Sequence, residues 1–242
     1  MTQPSLGSLA GKTFLVVGAA GQVAGFINAA LLAAGANLVL AARGAEAAQA
    51  AVALTPAPGV SVTPVEGDVS TIAGARAMVE ATLQATGSLH GVISTVGGFS
   101  GGPAADLTPE EFERLWRMNT LTMVNVTLAA LPALLAEPGR FLGFISAGQA
   151  WRGEGARAAA YTSSKAAAGA FLRSVAAEHP ALRGGIVYPL GAIDTPANHK
   201  AMPNADVTTW IDPREIGEAF VFMASRGRGG TVQEVVLHAP GG

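Results

Sequence analysis

Two kinds of apolar segment alternate along the chain. Short runs rich in Val, Ile and Leu, closed by glycine, proline or polar residues, occur at 13–17 (TFLVV), 37–43 (NLVLAAR), 60–67, 91–97, 140–146, 184–190 and 232–239. These seven runs read as strands. Between them lie longer Ala-rich and Leu-rich stretches with helical spacing, the clearest being 156–178 (ARAAAYTSSKAAAGAFLRSVAAE). Near-continuous apolar strands alternating with helices predict a parallel sheet covered on both faces. The expectation is therefore an α/β fold with a doubly wound, parallel, seven-stranded sheet and helices on both sides.

Residues 13–42 carry no charge and superficially resemble a membrane span. Their glycines argue otherwise. TFLVVGAAG is a strand ending in a glycine turn, QVAGFINAALLAAGA is a helix closed by Gly35, and NLVLAAR is a second strand, which together make a βαβ unit. Two stretches have no clear period, 97–109 and 191–213, and both follow strands. Irregular segments of that length in a compact domain tend to carry function.

The length of 242 residues fits one large domain covering 1–242. A net charge of -2 with 13% charged residues leaves no electrostatic footprint for nucleic acid, and SRGRGG at 225–230 reads as a solvated turn rather than an RNA-binding tail. The absence of cysteine excludes disulfides, thiolate metal sites and cysteine nucleophiles. MTQPSLGSLAGK at the start has neither a basic beginning nor an apolar centre, so a signal peptide is not expected and a cytoplasmic location is. His90, His179, His199 and His238 lack metal-ligand spacing, and no metal site is expected. GFISAG misses the spacing of a serine-hydrolase elbow.

VVGAAGQVAG sets Gly18, Gly21 and Ala24 at a G-x-x-G-x-x-A spacing, with Gln22 and Val23 opening the helix that follows. Glycine lets the backbone approach a diphosphate, and a helix N-terminus favours its charge. The alternative is a tight structural turn. No Asp or Glu occurs between Gly18 and Glu46, where a carboxylate would meet the ribose of NAD; Ala42 and Arg43 end the second strand instead. Arg43 suits the 2′-phosphate of NADP, the alternative being a solvent-facing side chain. Tyr161 and Lys165, four apart in an Ala-rich helix, share one face. An ammonium near a phenol favours its ionised form, which would make Tyr161 a general acid/base. Otherwise the ring packs and the lysine reaches water.

With these features in this order, the chain resembles the short-chain dehydrogenase/reductase family over essentially its whole length. The resemblance rests on the glycine turn, Asp68-Val69, STVGG at 94–98, Asn119 in RMNTLT, Ser146 and Tyr161-x-x-x-Lys165. It implies a Rossmann fold and a proton-donating or proton-accepting Tyr161. Lys165 would lower the tyrosine's pKa and hold the nicotinamide ribose, Ser146 would orient the substrate oxygen, and Asn119 would support a proton relay. Gly18, Gly21, Gln22, Val23, Arg43, Asp68, Val69, Thr95, Val96, Gly97, Ile193 and Thr195 would line the cofactor, with Tyr161 and Lys165. The chain departs from the family where Val17 precedes the first glycine, where Ser94-Thr95-Val96-Gly97 follows the fourth strand, and where Ser146 stands 15 residues before Tyr161. GGFSGG and DTPANHKAMPNADVTTW are similar to stretches of the dihydropteridine reductase branch, implying a lid with Phe99 and Trp210 as flat surfaces for a planar substrate. Packing in the core or at a subunit contact is the equal alternative for these aromatics. The resulting expectation is an NADPH-dependent oxidoreductase reducing a C=O or C=N carbon of a small molecule, as a homodimer or homotetramer without nucleic-acid or membrane partners. The alternative is an NADP-binding regulator without turnover.

Overall fold

The computed structural model describes residues 7–226 and 230–241. The first six residues of the opening segment and 227–229 of SRGRGG lie outside the described residues. In chain order the elements are β1 (Thr13–Val17), α1 (Gln22–Ala33), β2 (Asn37–Ala42), α2 (Glu46–Val52), β3 (Val62–Glu66), α3 (Ile72–Thr86) and β4 (Gly91–Ser94). There follow α4 (Pro109–Trp116), a π-helical turn (Arg117–Leu121), α5 (Thr122–Leu134), β5 (Phe141–Ile145), α6 (Gly148–Arg152) and α7 (Ala159–Glu178). The chain closes with β6 (Arg183–Leu190), α8 (Pro196–Ala201), α9 (Pro213–Ala224) and β7 (Glu234–His238). The seven strands among the described residues are all parallel, in the order β3-β2-β1-β4-β5-β6-β7. The expected doubly wound sheet is thus present, with its strand order reversing between β1 and β4, where such sheets open a crevice at their carboxyl edge.

The five inner strands are mostly apolar because each buries both faces, whereas the edge strands β3 and β7 are largely half-buried or exposed. Leu15 and Val17 of β1 point into a core built with α3, α5 and α7, whereas Phe14 and Val16 point into a second core under α1 and α9. Val92 and Ile93 of β4 divide in the same way, as do Phe144 and Ile145 of β5. Pro64, a residue that cannot donate to a ladder, sits in the edge strand β3.

Two local expectations are corrected. The helix read over 156–178 begins at Ala159, because Arg157 adopts φ +60° and Ala158 φ -142°, neither compatible with a continuing helix. The stretch 191–213 is only partly irregular. Thr195 caps α8 through its side chain, Pro196 opens that helix, and Ile193 pairs with Ile211 to close the base of the excursion.

Candidate active site

The crevice is floored by the ends of β1 and β4. Gly18 turns the chain with φ +78°, and a Cβ there would stand 2.8 Å from Thr95 Oγ1 and 3.0 Å from Val96 Cγ2. The Thr95 hydroxyl is shared between the carbonyl oxygens of Val17 (2.9 Å) and Gly18 (3.0 Å), so this residue braces the glycine turn. Gly21 caps α1 without a side-chain acceptor, and no acidic residue occupies the helix's first turn. The backbone N–H groups of Gln22, Val23 and Ala24 have no partner among the described residues. Val23 itself leans into the core under α1. The turn thus presents donors and bare backbone where a diphosphate would need them.

Arg43 is exposed at the end of β2. Hydrogen bonds from Ser70 hold the Asp68 carboxyl below its usual range, and the nearby Arg43 charge acts in the same direction. Val69, buried beside Asp68, accepts a bond from Asn125 Nδ2 on α5 (3.0 Å).

Asn119 lies in the π-helical turn and is fully buried. Its Oδ1 accepts from the Gly98 N–H (2.9 Å), while Nδ2 donates to the Gly98 carbonyl (3.0 Å) and Ser164 Oγ (3.0 Å). A single side chain therefore joins the loop after β4 to α7. The widened turn is what lets it reach both. Gly97 is the gap in this arrangement: a Cβ would fall 2.7 Å from both Asn119 Oδ1 and Lys165 Nζ.

Three successive residues at the end of β5 engage Lys165. Its ammonium donates to the Ile145 carbonyl (3.1 Å) and stands 4.8 Å from the Phe144 ring centre, and Ser146 Oγ lies 3.5 Å from the Lys165 carbonyl. Lys165 is only 5% exposed, and this burial brings its pKa down to about 8. Tyr161 is partly exposed, with the Phe99 ring set edge-on at 5.0 Å and 75°. Burial pushes its phenol up to about 12. The lowering expected from Lys165 is not found in this site; desolvation of the phenolate governs instead.

Ser146 is 5% exposed and its hydroxyl faces the backbone of α7. Ala147, next in an extended conformation (φ -149°, ψ 152°), points the opposite way. Trp210 does not offer a free flat surface: it is 6% exposed and packs against His199 (ring centres 4.8 Å apart), whose Nε2 lies 2.6 Å from Asp194 Oδ1. Its expected role as a stacking surface is corrected on that ground, whereas Phe99 is 66% exposed beside Tyr161. Ile193 and Thr195 frame the start of α8, the former accepting from Asn198 Nδ2 at 2.8 Å.

Two features carried no sequence signal. Gln22 Oε1 accepts from the Ala197 N–H (3.0 Å), joining segments 175 positions apart. A cleft of about 250 Å³ lies between the loop after β4, α4 and the start of α7, lined by Gly102, Leu107, Leu115, Arg157 and Ala160 among others. The Arg157 carbonyl, turned by its left-handed backbone, accepts from Gly102 N–H (2.7 Å) and fixes the loop carrying Phe99. Among the described residues no group of His, Asp or Glu could hold a metal ion, and no helix is long and apolar enough to cross a membrane.

A family model described as short chain dehydrogenase matches residues 12–206. Versicolorin reductase 1 of Aspergillus parasiticus is 32% identical over 169 residues, covering 69% of this chain and 64% of that protein, slightly under two thirds of its length. Among solved structures, an alcohol dehydrogenase from the archaeon Thermococcus sibiricus, complexed with 5-hydroxy-NADP, superposes with a TM-score of 0.82 at 25% identity, covering 95% of this chain and 97% of that one. The Pseudomonas aeruginosa RhlG/NADP complex gives 0.84 at 24% identity, with 97% of each chain covered, and speaks to the fold alone.

Proposed function

The chain belongs to the short-chain dehydrogenase family, and from that premise we propose that it is an NADPH-dependent reductase of a C=O or C=N carbon in a small planar molecule. The observation that carries the reading is the loop after β4, where Asn119 and the Lys165 ammonium close on Gly97 and the Phe99 ring meets Tyr161, one helical turn before Lys165. The bare glycine backbone at Gly18 and Gly97 and the free N–H groups opening α1 fit a dinucleotide. The similar Thermococcus sibiricus structure is described with a derivative of NADP. Arg43, with Ala42 in place of a carboxylate, supports the phosphorylated form.

When bound, the nicotinamide supplies the hydride. Tyr161 supplies the proton to the substrate oxygen or nitrogen, and a phenol with a pKa pushed up to about 12 is fully protonated at neutral pH, the form reduction requires. Lys165 places a buried positive charge beside the reacting centre and stabilises the negative charge that develops there. Since its pKa is brought down to about 8, reduction slows as pH rises through that value. Asn119 keeps the Phe99 loop and α7 in register. Ser146 contributes through α7, against whose backbone its hydroxyl rests, rather than by touching substrate. The exposed Phe99 ring is the surface on which a planar substrate stacks, a quinonoid dihydropteridine being one candidate. We include in this reading a cytoplasmic location and a homodimer or homotetramer, the latter supported by the exposed Leu128 on α5 and Leu135 at its C-terminal cap.

The test is NADPH oxidation with a panel of carbonyl compounds and quinonoid pterins. Tyr161→Phe should lower turnover by about a hundred- to ten-thousand-fold with NADPH affinity kept within about a few-fold. Near-normal turnover in that variant refutes the mechanism, and NADPH binding with no turnover across the panel favours a regulator.

A further inference from the structure

Gln22 stands at the first position of α1, directly beyond the glycine turn, and is exposed. Its carboxamide has one acceptor and two donor hydrogens. The acceptor is committed to the Ala197 N–H at 3.0 Å, in the first turn of α8. Both Nε2 hydrogens lack a partner among the described residues, as do the backbone N–H groups of Gln22, Val23 and Ala24 beside them. A planar amide that accepts at one end points its donors away from that partner. Gln22 also opens a 12-residue helix whose first backbone donors are unpaired among the described residues and whose first turn has no acidic side chain. The same first turn of α8 is held locally by Thr195 Oγ1 accepting from the Asn198 N–H (3.4 Å) and by Asn198 Nδ2 donating to the Ile193 carbonyl (2.8 Å), and Gln22 is its bond to the glycine turn.

We propose that Gln22 is a two-ended clamp, whose Oε1 holds α8 against the glycine turn while its Nε2 donates to the diphosphate of the bound dinucleotide. The proposal rests on the dinucleotide reading above. It makes docking of α8 and binding of the diphosphate mutually favourable, because the bond at each end orients the amide for the other. By linkage, the factor by which dinucleotide steadies α8 equals the factor by which docked α8 tightens dinucleotide.

Three proteins, the wild type, Gln22→Met and Gln22→Glu, are compared by titration with NADP+ and by amide hydrogen exchange over 196–202 without cofactor. Met keeps the length and loses both ends. Glu keeps an acceptor for Ala197, loses the donors and adds a charge that repels the diphosphate. Met should expose the α8 amides to faster exchange and weaken NADP+ binding about tenfold, the size of one hydrogen bond to a charged group. Glu should retain wild-type exchange in α8 and bind NADP+ more weakly than Met does. Wild-type affinity in either variant overturns the clamp, as does faster α8 exchange in Glu equal to that in Met. A wild-type protein that does not bind NADP+ at all refutes the dinucleotide reading instead. Gln22 is exposed, so the fold should survive both changes, and circular dichroism checks that it does.

Discussion

Replacing Lys165 by Met should stabilise the protein at neutral pH while abolishing turnover. The amine has a pKa near 10.5 when solvated and about 8 in the fold, with burial as the cause. At about 1.4 kcal/mol per pH unit, a charged Lys165 costs the native state about 3 kcal/mol. Methionine has similar length and no charge, but it leaves the Ile145 carbonyl without its donor, a loss of about 1 kcal/mol. The balance is a gain of about 2 kcal/mol at pH 7, or roughly 4 to 8 °C in Tm for a chain of this size. The pH dependence has a definite sign. Between pH 8 and 10.5 the unfolded chain keeps the proton that the folded chain releases, so wild-type stability rises with pH through that window relative to the Met variant. The two stabilities should cross near pH 9 to 10, leaving the wild type ahead by about 1 kcal/mol once its amine is neutral in both states. Calorimetry of the two cofactor-free proteins from pH 7 to 10 makes the comparison, and taking their difference cancels every other titrating group. A Met variant that is less stable at pH 7, or a difference that does not change with pH, would refute the reasoning.

The remaining predictions concern specificity and assembly. Wild-type protein should prefer NADPH to NADH by about tenfold or more in kcat/KM, and Ala42→Asp with Arg43→Ala should reverse the preference by removing an attraction and adding a repulsion; equal use of both cofactors by the wild type shows that Arg43 does not read the 2′-phosphate. Ser146→Ala should keep kcat within about tenfold of wild type, well short of the loss expected for a group in the proton step; a loss as large as that of Tyr161→Phe would assign its hydroxyl to the substrate. Light scattering should return a dimer or tetramer, and a monomer at micromolar concentration counts against pairing through α5.

The sheet was legible in the sequence because both its faces are buried. Strands such as TFLVV and GVIS need only be apolar and short to be recognised, and the glycine turn after β1 marks the start of the crossover. Helix boundaries were less so. Nothing in GARAAAY distinguishes Arg157 from a helical residue; its left-handed backbone is held by Gly102, more than fifty positions earlier, and such contacts have no local signature. Tyr161, Lys165 and Asn119 were legible as residue types, but not in their electrostatics. The phenol's upward shift comes from packing around Tyr161, which spacing along a helix does not report. Ser146 is the sharpest case. Its distance from Tyr161 along the chain says nothing about which side of the strand end its hydroxyl takes, and the side it takes is that of the α7 backbone. Trp210 and His199 likewise pack together through a fold of the 191–213 segment that its composition does not encode.

The end of β5 shows what the site demands of the fold. Phe144, Ile145 and Ser146 each spend a different group on Lys165: an aromatic face, a carbonyl and a hydroxyl. The ring and the Ile145 carbonyl face the ammonium and the hydroxyl meets the Lys165 backbone; together they do not replace the water the charge has lost, and burial brings its pKa down. A helix alone could not hold that charge inside, since its lysine would swing to solvent. It stays because β5 is locked between β4 and β6, with Phe144 in one core and Ile145 in the other, so the three residues cannot retreat from it. The central strand's burial on both faces, which made it recognisable as a strand, is therefore also what keeps a destabilising charge at the place where reduction would use it.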